Sequence, residues 1–482
     1  MLEKILNFGK KIIPKPIFNF FQPTYHALLS ILACLWYRFP SNKLIVIGVT
    51  GTNGKSTTVN LIVKILEEAG FKVGLCSGIN FKIKEKEWEN KTRMTMPGRF
   101  ALQKMLRKMV KANCKYAVIE VTSEGLKQKR GLGISFDIAI FTNLKSEHIE
   151  AHGGFEKYKQ AKAKLFQSLE NKWLNKKDVK KNIISNLDDE HGEYFLKFKA
   201  DEKFGYKINA KLKTQNAKDE NLINMKPDKT QNVPMAIGTP IIIGAKDENL
   251  KIIEAKDIKE NLNGTSFICN NIQFNLNLLG EFNVYNSLAG ICLGLSQGIN
   301  LEIIKKALEK IKGIPGRMEK INEGQNFTII VDHAHTPDAF ELIFQIIQKN
   351  FQSNLKQTKI ISVFGSAGGI RDKKKRPELG FIASKYSDFI ILTNEDPYDT
   401  PPKEIIKDIA KGFVKEKMIL EKNYWEILDR KEAIKKALSL AQENDVVLIL
   451  GKGCESCIKI AKNKKIPWDD RKVARELLSK LH

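Results

Sequence analysis

From Leu44 to Val49 the chain reads LIVIGV, an apolar, β-branched stretch with no polar residue alternating through it. Such a run buries both faces, as parallel strands do when helices cover them. The signature returns in KYAVIEVTS (Lys115–Ser123), FDIAIFTNL (Phe136–Leu144) and NIISNLDD (Asn182–Asp189), with helical periodicity between them. A second series follows: FTIIVDHA from Phe327, KIISVFGSA from Lys359, DFIILTNED from Asp388 and DVVLILGKG from Asp445. Strands alternating with helices predict an α/β protein. The expected layout is a central domain with a mostly parallel sheet over 44–312 and a Rossmann-like α/β C-terminal domain over 313–482. LLGEFNVYNSLAGICLGLSQG (Leu278–Gly298) should open a helix after a tight turn, and GIPGRMEKI (Gly313–Ile321) reads as the linker. Residues 207–256 read as a polar insertion, rich in Lys and Asn, with AKDENL at Ala217 and again at Ala245. Residues 1–43 read as a short hydrophobic helical region.

Composition narrows the partners. At 482 residues, 42% of them hydrophobic, the chain can build two or three real cores. A net charge of +25 suits nucleic acid, an anionic membrane or an acidic substrate. No compact cluster of arginines and aromatics accompanies it, which favours lysine-rich solvated faces over a nucleic-acid partner. Seven scattered cysteines, an odd number, argue against a disulfide framework and for a reducing cytoplasm. Cys454 and Cys457 form one CxxC, where a zinc ribbon needs two. Ile17–Tyr37 is largely apolar with basic flanks, but Gln22, Pro23 and His26 interrupt it, so it does not read as a spanning helix. Two readings stay open: contact of residues 1–40 with a membrane surface, or a helix docked on its own protein.

The first strand runs into GTNGKSTT, Gly51 to Thr58, at the mouth of a helix. Gly51 and Gly54 permit backbone shapes that a side chain blocks. The amides of Gly51, Thr52, Asn53, Gly54 and Thr57 can then turn toward oxyanions, with the helix N-terminus adding positive charge. Lys55 is placed to reach terminal phosphates and Ser56 to offer a hydroxyl to Mg²⁺. The usual phosphate loop carries a glycine where Val49 stands. Ligands in open α/β sheets lie beyond the carboxyl ends of strands, so Glu120, Thr142 and Asn143 should border the loop. Downstream, Phe141–Phe166 contributes Glu147, His148, His152 and Lys162. Histidines and carboxylates near a triphosphate suit a divalent metal, although Mg²⁺ prefers oxygen and an ammonium is an odd neighbour for it. An ordinary strand–turn–helix and a solvated loop remain the plain alternatives.

TGTNGKSTT resembles the phosphate loop of the Mur ligases, in which the early glycine is absent. So do IEVTSEGL, FTNLKSEHIEAHG, YKQAKAKLF, GEFNVYNSLAG, GIPGRMEKI, VDHAHTPDAF, FGSAGGIRDKKKRPELG, TNEDPYDTPP and GKGCE, in family order from Leu44 onward. Within the family the similarity is to the MurE-type tripeptide synthetases. The resemblance implies an ATP- and Mg²⁺-dependent ligase of peptidoglycan synthesis that works through an acyl phosphate, as a monomer. It would join a free amino acid, lysine or meso-diaminopimelate, to a muramoyl-peptide acceptor that is UDP-linked or lipid-linked. Lys55 and Ser56 would serve phosphate and the first Mg²⁺, with Glu120 as carboxylate. His148 and a carbamylated Lys162 would serve the second. Asn286, Arg317 and Asp332 would contact the nucleotide. Thr122, Ser123 and Arg130 would face the acceptor, and Arg371, Asn394, Asp396, Gly451 and Glu455 the incoming amino acid. Closure of the domains over ATP would exclude water.

This chain departs from the family pattern in places. Only about 43 residues precede the first strand, in place of a full uridine-binding domain. Glu124 stands for a histidine, Glu147 for an aspartate, Cys454 for a histidine and His333 for a tyrosine. Where diaminopimelate-adding members carry Asp-Asn-Pro-Arg, this chain has Glu395-Asp396-Pro397-Tyr398. Tyr398 cannot grip a carboxylate bidentately, and Glu395 suits a cationic end. The alternatives are a peptidoglycan-amidating Mur-like subunit, which would bring a four-cysteine ribbon, folylpolyglutamate synthase, whose motifs fit less well, and a membrane-docked nucleotide-binding scaffold.

Overall fold

The computed structural model describes residues 15–92, 94–145, 152–171, 176, 178–209, 249–352, 358–369, 373–414, 417–462 and 464–480. The chain forms two compact units. The first takes the residues up to Lys259 with Ser266–Asn275 and Glu281–Lys310; the second takes Glu260–Thr265, Leu276–Gly280 and the residues from Ile311.

The four apolar runs of the first half become adjacent strands. They are β1 (Ile45–Thr50), β5 (Tyr116–Glu120), β6 (Ile138–Phe141) and β7 (Asn182–Asn186). β1 lies between β5 and β6 and pairs parallel with both, Ile47 opposite Val118 on one side and Ile138 on the other. β2 (Val73–Cys76), β3 (Asn80–Ile83) and β4 (Lys86–Glu89) extend one edge. β8 (Glu202–Ile208), β9 (Leu250–Asn261), β10 (Gly264–Cys269) and β11 (Ile272–Leu276) extend the other. Among the described residues the sheet order is β11-β10-β9-β8-β7-β6-β1-β5-β2-β3-β4. β2, β7, β8 and β9 continue the parallel pairing, whereas β3 and β4 are antiparallel. All five residues of β5 and of β7 are buried, which is why these strands carry no alternation. The helix Lys55–Glu68 covers the sheet with Val59, Leu61, Ile62, Val63, Ile65 and Leu66 buried.

Two expectations need correction here. Residues 207–256 are not wholly an insertion, since Lys207–Ile208 end β8 and Leu250–Lys256 belong to β9, paired parallel from Leu250 opposite Lys203. Polar composition hid β9, in which lysines and acids stand between the apolar Ile252, Ile253, Ala255 and Ile258. The first AKDENL repeat and most of the second lie outside the described residues. The stretch Gly313–Ile321 is not all linker, because Glu319–Ile321 forms an edge strand.

That strand, β12 (Glu319–Ile321), opens the second unit's sheet with β13 (Thr328–Asp332), β14 (Ile360–Phe364), β15 (Phe389–Leu392), β16 (Tyr424–Glu426) and β17 (Val446–Leu450). The order is β12-β13-β17-β14-β15-β16. β12 is antiparallel to β13 and the other pairs are parallel. A hairpin of β18 (Cys457–Ile460) and β19 (Lys464–Pro467) follows. The carboxyl ends of β13, β14, β15 and β17 therefore share one edge.

The N-terminal apolar segment is a helix, Lys15–Trp36, with Pro23 inside it. One face docks on its own unit, with Ser30, Ala33 and Cys34 buried. Ser30 Oγ donates to Lys129 O at 2.7 Å, Gln103 Nε2 to Cys34 Sγ at 3.1 Å and Arg99 Nε to His26 O at 3.1 Å. Among the described residues no helix is long and apolar enough to cross a membrane.

Candidate active site

The loop after β1 is shaped by what sits against its glycines. Gly54, at φ +81°, caps the helix Lys55–Glu68, and a Cβ there would lie 2.4 Å from Asn286 Oδ1. A Cβ on Gly51 would lie 1.9 Å from Thr142 Oγ1. The strand end of β6 holds the loop from below. Thr52 N donates to Asn143 O at 2.8 Å, Asn53 N to Asn143 Oδ1 at 2.9 Å and Thr142 Oγ1 to Asn53 O at 2.7 Å. Thr142 and Asn143 thus border the loop as their strand-end position implied. Val49 is fully buried inside β1, in a regular strand position that no glycine is needed to fill.

Glu120, at the end of β5, is 2% exposed. Both its oxygens accept from Ser56 Oγ at 2.9 Å, and Oε2 also accepts from Gly78 N at 2.7 Å. A hydroxyl on the first helical turn and a carboxylate at the end of β5 are thereby fixed together. These are hard oxygen donors, and Mg²⁺ is ordinarily held by one or two such groups with phosphate oxygens and water completing the shell. The donor set fits that ion.

Lys162, on the helix Phe155–Gln167, is 1% exposed. Its Nζ donates to Gly51 O at 2.6 Å and lies 4.5 Å from the centre of the Tyr158 ring. Tyr158 OH and Thr52 Oγ1 are 3.1 Å apart. The packing of this helix thus brings a buried lysine onto the phosphate loop, 111 residues away in sequence. Lys55 Nζ donates to Thr52 O at 2.7 Å. His148, Glu147 and Arg371 lie outside the described residues, so their places relative to these groups are not part of the geometry. His152 is buried with its ring centre 5.2 Å from that of Tyr158. Asn286 accepts from Thr58 Oγ1 at 3.2 Å and donates to Asn283 Oδ1 at 3.0 Å.

Thr122 caps the short helix Ser123–Lys127, its Oγ1 accepting from Gly125 N at 3.0 Å, and Ser123 is buried. Arg130 donates to Met96 O at 2.6 Å and to Gln128 Oε1 at 2.7 Å, and burial pulls its pKa below the usual arginine value. These three belong to the first unit, but their hydrogen bonds are with neighbouring protein groups, not with the loop.

In the second unit a polar cluster gathers on the strand ends. Lys452 is fully buried, and its Nζ donates to Asp396 Oδ1 at 2.8 Å and to Glu455 Oε2 at 2.5 Å. Asp396 also accepts from Lys459 N at 2.8 Å. Gly451, at φ +103°, leaves room for Glu395, since a Cβ there would lie 2.5 Å from Glu395 Oε2. Burial raises the Glu395 pKa, against the pull of His335, Lys375, Lys452 and Arg430. Arg430 grips Asp470 bidentately at 2.8 Å and donates to Asn394 O at 3.0 Å and Leu450 O at 2.8 Å. Asn394 Nδ2 donates to Leu428 O at 2.9 Å. Asp332 accepts from Met318 N at 2.7 Å and Ala334 N at 2.6 Å, and burial raises its pKa despite the Arg317 cation. Arg317 Nε is buried with no hydrogen-bond partner. His333 is pushed well below the usual histidine pKa, first by burial and then by Arg317, His335 and Lys452. Sequence reasoning singled out Gly451, Asp396 and Glu455 but missed Lys452, the cation joining the two acids, and Arg430, which ties the ends of β15 and β17 to Asp470 at the start of the last helix.

The chain is similar to known proteins. The Mur ligase middle domain matches residues 49–234 and 168–294, and the glutamate ligase domain of Mur ligases matches 316–453. A UDP-N-acetylmuramyl-tripeptide synthetase of Roseiflexus sp. (strain RS-1) is 35% identical over 467 residues, covering 95% of this chain and 83% of the relative. A UDP-N-acetylmuramoyl-L-alanyl-D-glutamate–2,6-diaminopimelate ligase of Aquifex aeolicus (strain VF5) is 38% identical over 441 residues, covering 91% of this chain and 78% of the relative. A solved structure of a ligase with that same name superposes with a TM-score of 0.56 at 27% identity, covering 91% of this chain and 79% of the other. The buried carboxylate beside the phosphate loop and the matches to both domain models lead to one conclusion: the chain belongs to the Mur ligase family, whose members are amide-forming ligases.

Proposed function

We propose that this chain is an ATP- and Mg²⁺-dependent ligase that joins lysine or meso-diaminopimelate to the free carboxylate of a muramoyl-dipeptide in peptidoglycan synthesis. The muramoyl group would be carried on UDP or on lipid, and the reaction would run in the cytoplasm, where ATP is made. One observation carries the reading: Glu120 and Ser56 form an oxygen site on the phosphate loop, in a chain similar over 95% of its length to a tripeptide synthetase.

The chemistry follows from the poor electrophilicity of a carboxylate. A carboxylate oxygen attacks the γ-phosphorus of ATP, the bond to ADP breaks, and an acyl phosphate forms. The amine then attacks the acyl carbon, phosphate leaves with the C–O bond electrons, a proton is lost from nitrogen, and an amide remains. The loop amides and Lys55 would hold the phosphates and offset the negative charge that spreads over them. Ser56 and Glu120 would hold Mg²⁺, which supplies Lewis-acid stabilisation of the phosphoryl oxygens when bound. Asn286, Arg317 and Asp332 are assigned to the nucleotide, and Thr122, Ser123 and Arg130 to the acceptor. Arg371, Asn394, Asp396, Gly451 and Glu455 are assigned to the amino acid.

Lys162 is assigned as a carbamate, with His148 beside a second Mg²⁺. CO₂ would add to the neutral amine with loss of a proton, turning a buried cation into an oxygen-bearing anion. Its burial and its position on the Gly51 carbonyl support that role. An NMR signal from isotope-labelled bicarbonate that is absent in Lys162→Ala would report the adduct independently of turnover.

The acyl-phosphate step has a direct test. With acceptor carboxylate labelled in its oxygens, one labelled oxygen should appear in released phosphate, and release should require acceptor and amino acid together. Label retained wholly in the peptide would contradict the mechanism.

A further inference from the structure

The docked helix Lys15–Trp36 leaves its second face uncovered. Leu28, Ile31, Leu32, Leu35 and Trp36 are exposed by 57%, 45%, 53%, 55% and 76%. Their spacing of three and four residues places them in one stripe along the helix, opposite the buried Ser30, Ala33 and Cys34. Leu132, whose carbonyl accepts from Cys34 Sγ, adds a further exposed apolar side chain beside it. A single exposed leucine is ordinary, but a continuous stripe ending in tryptophan marks an interaction surface.

Charge identifies what fits it. No acidic residue occurs between Lys15 and Lys43, while Lys15, Arg38 and Lys43 are basic. Arg38 and Lys43, just past the helix, are exposed. The helix Arg99–Lys111, against which the docked face packs, carries Arg99, Lys104, Arg107, Lys108 and Lys111 and no acid. In the neighbouring segment 123–133 the one acid is Glu124, which accepts from Gln128, against Lys127, Lys129 and Arg130. A second copy of the chain would set two basic surfaces face to face. An anionic bilayer offers apolar depth for the stripe and negative headgroups for its rim, with Trp36 suited to the boundary between them. We propose that the exposed face of helix Lys15–Trp36 docks this protein on the surface of an anionic membrane, in the interface plane and without crossing it. This goes beyond the ligase reading and does not depend on it.

The test uses the full chain and vesicles of phosphatidylglycerol mixed with phosphatidylcholine, set against phosphatidylcholine alone. The protein should co-sediment with the anionic vesicles and lose binding as salt rises. The variant Leu28→Gln/Ile31→Gln/Leu32→Gln/Leu35→Gln changes only solvent-facing positions, so its Tm should match the parent while its partitioning falls at least tenfold. Brominated acyl chains should quench fluorescence in the parent, and Trp36→Tyr should remove that quenching. Equal partitioning of parent and quadruple variant would overturn the proposal. So would a parent that stays in the supernatant, or one that self-associates through this face without taking up lipid.

Discussion

Replacing Gly54 with alanine probes the loop where it turns into the helix Lys55–Glu68. The residue sits at φ +81°, where an L side chain costs about 1–2 kcal/mol. The new methyl would stand 2.4 Å from Asn286 Oδ1, so the Asn286 side chain must swing away. That movement breaks its hydrogen bonds with Thr58 at 3.2 Å and Asn283 at 3.0 Å, each worth about 0.5–1.5 kcal/mol. Together the losses come to roughly 2–4 kcal/mol, since one of the two bonds can re-form with water. In a unit of this size, Tm should fall by on the order of 5–10 °C. Nucleotide affinity should fall as well, because the amides after Gly54 turn with it. Differential scanning fluorimetry and titration with a non-hydrolysable ATP analogue read the two effects. Against Asn286→Ala alone, the double variant Gly54→Ala/Asn286→Ala meets no clash and loses no further hydrogen bond, so it should be less stable by the backbone cost only, about 1–2 kcal/mol. A single variant that melts and binds within error of the parent would refute the reasoning.

Other perturbations address the second unit and the metal site. Asp470→Asn strips a fully buried partner from Arg430 and should cost about 3–5 kcal/mol, read as a fall in Tm. His333 has its pKa depressed by burial, so the unfolded chain binds the extra proton first. Stability is retained above the ordinary value of 6.5 and lost as pH falls below it, by up to about 1.4 kcal/mol per pH unit, and His333→Gln should flatten that slope in a Tm–pH series. Glu395 runs the other way: its raised pKa costs stability as pH rises past 4.5, and Glu395→Gln should remove that loss. Ser56→Ala should lower kcat about 100-fold and raise the Mg²⁺ concentration needed for half-maximal rate, and an unchanged Mg²⁺ dependence would take Ser56 out of the metal site.

Much of this was legible in the chain because buried parallel strands announce themselves. LIVIGV, KYAVIEV and DVVLILG are apolar on both faces, and their polar ends mark the ligand edge without further information. The short strands Asn80–Ile83 and Lys86–Glu89 have only four residues each, and the long Leu250–Asn261 is rich in lysines and acids, so none of them shows the unbroken apolar run of a buried parallel strand. Long-range pairings were invisible for a different reason. Asn286 meets Thr58 across 228 residues and Lys452 meets Asp396 across 56, and no local pattern encodes either contact. A lysine between two glycines ordinarily points to solvent; Lys452 is buried only because two carboxylates converge on it. The N-terminal segment was ambiguous for a good physical reason. Its helix has one face that docks and another that does not, so its average apolarity fits both readings.

The most direct test of the account is a product analysis. The full chain, ATP, Mg²⁺ and a muramoyl-dipeptide are incubated with lysine or with meso-diaminopimelate, and the acceptor is read by mass spectrometry. The account predicts an acceptor heavier by one diamino-acid residue, formed in equal amount with ADP and phosphate. ATP consumption with an unaltered acceptor under both amino acids, on UDP-linked and lipid-linked forms alike, would contradict it.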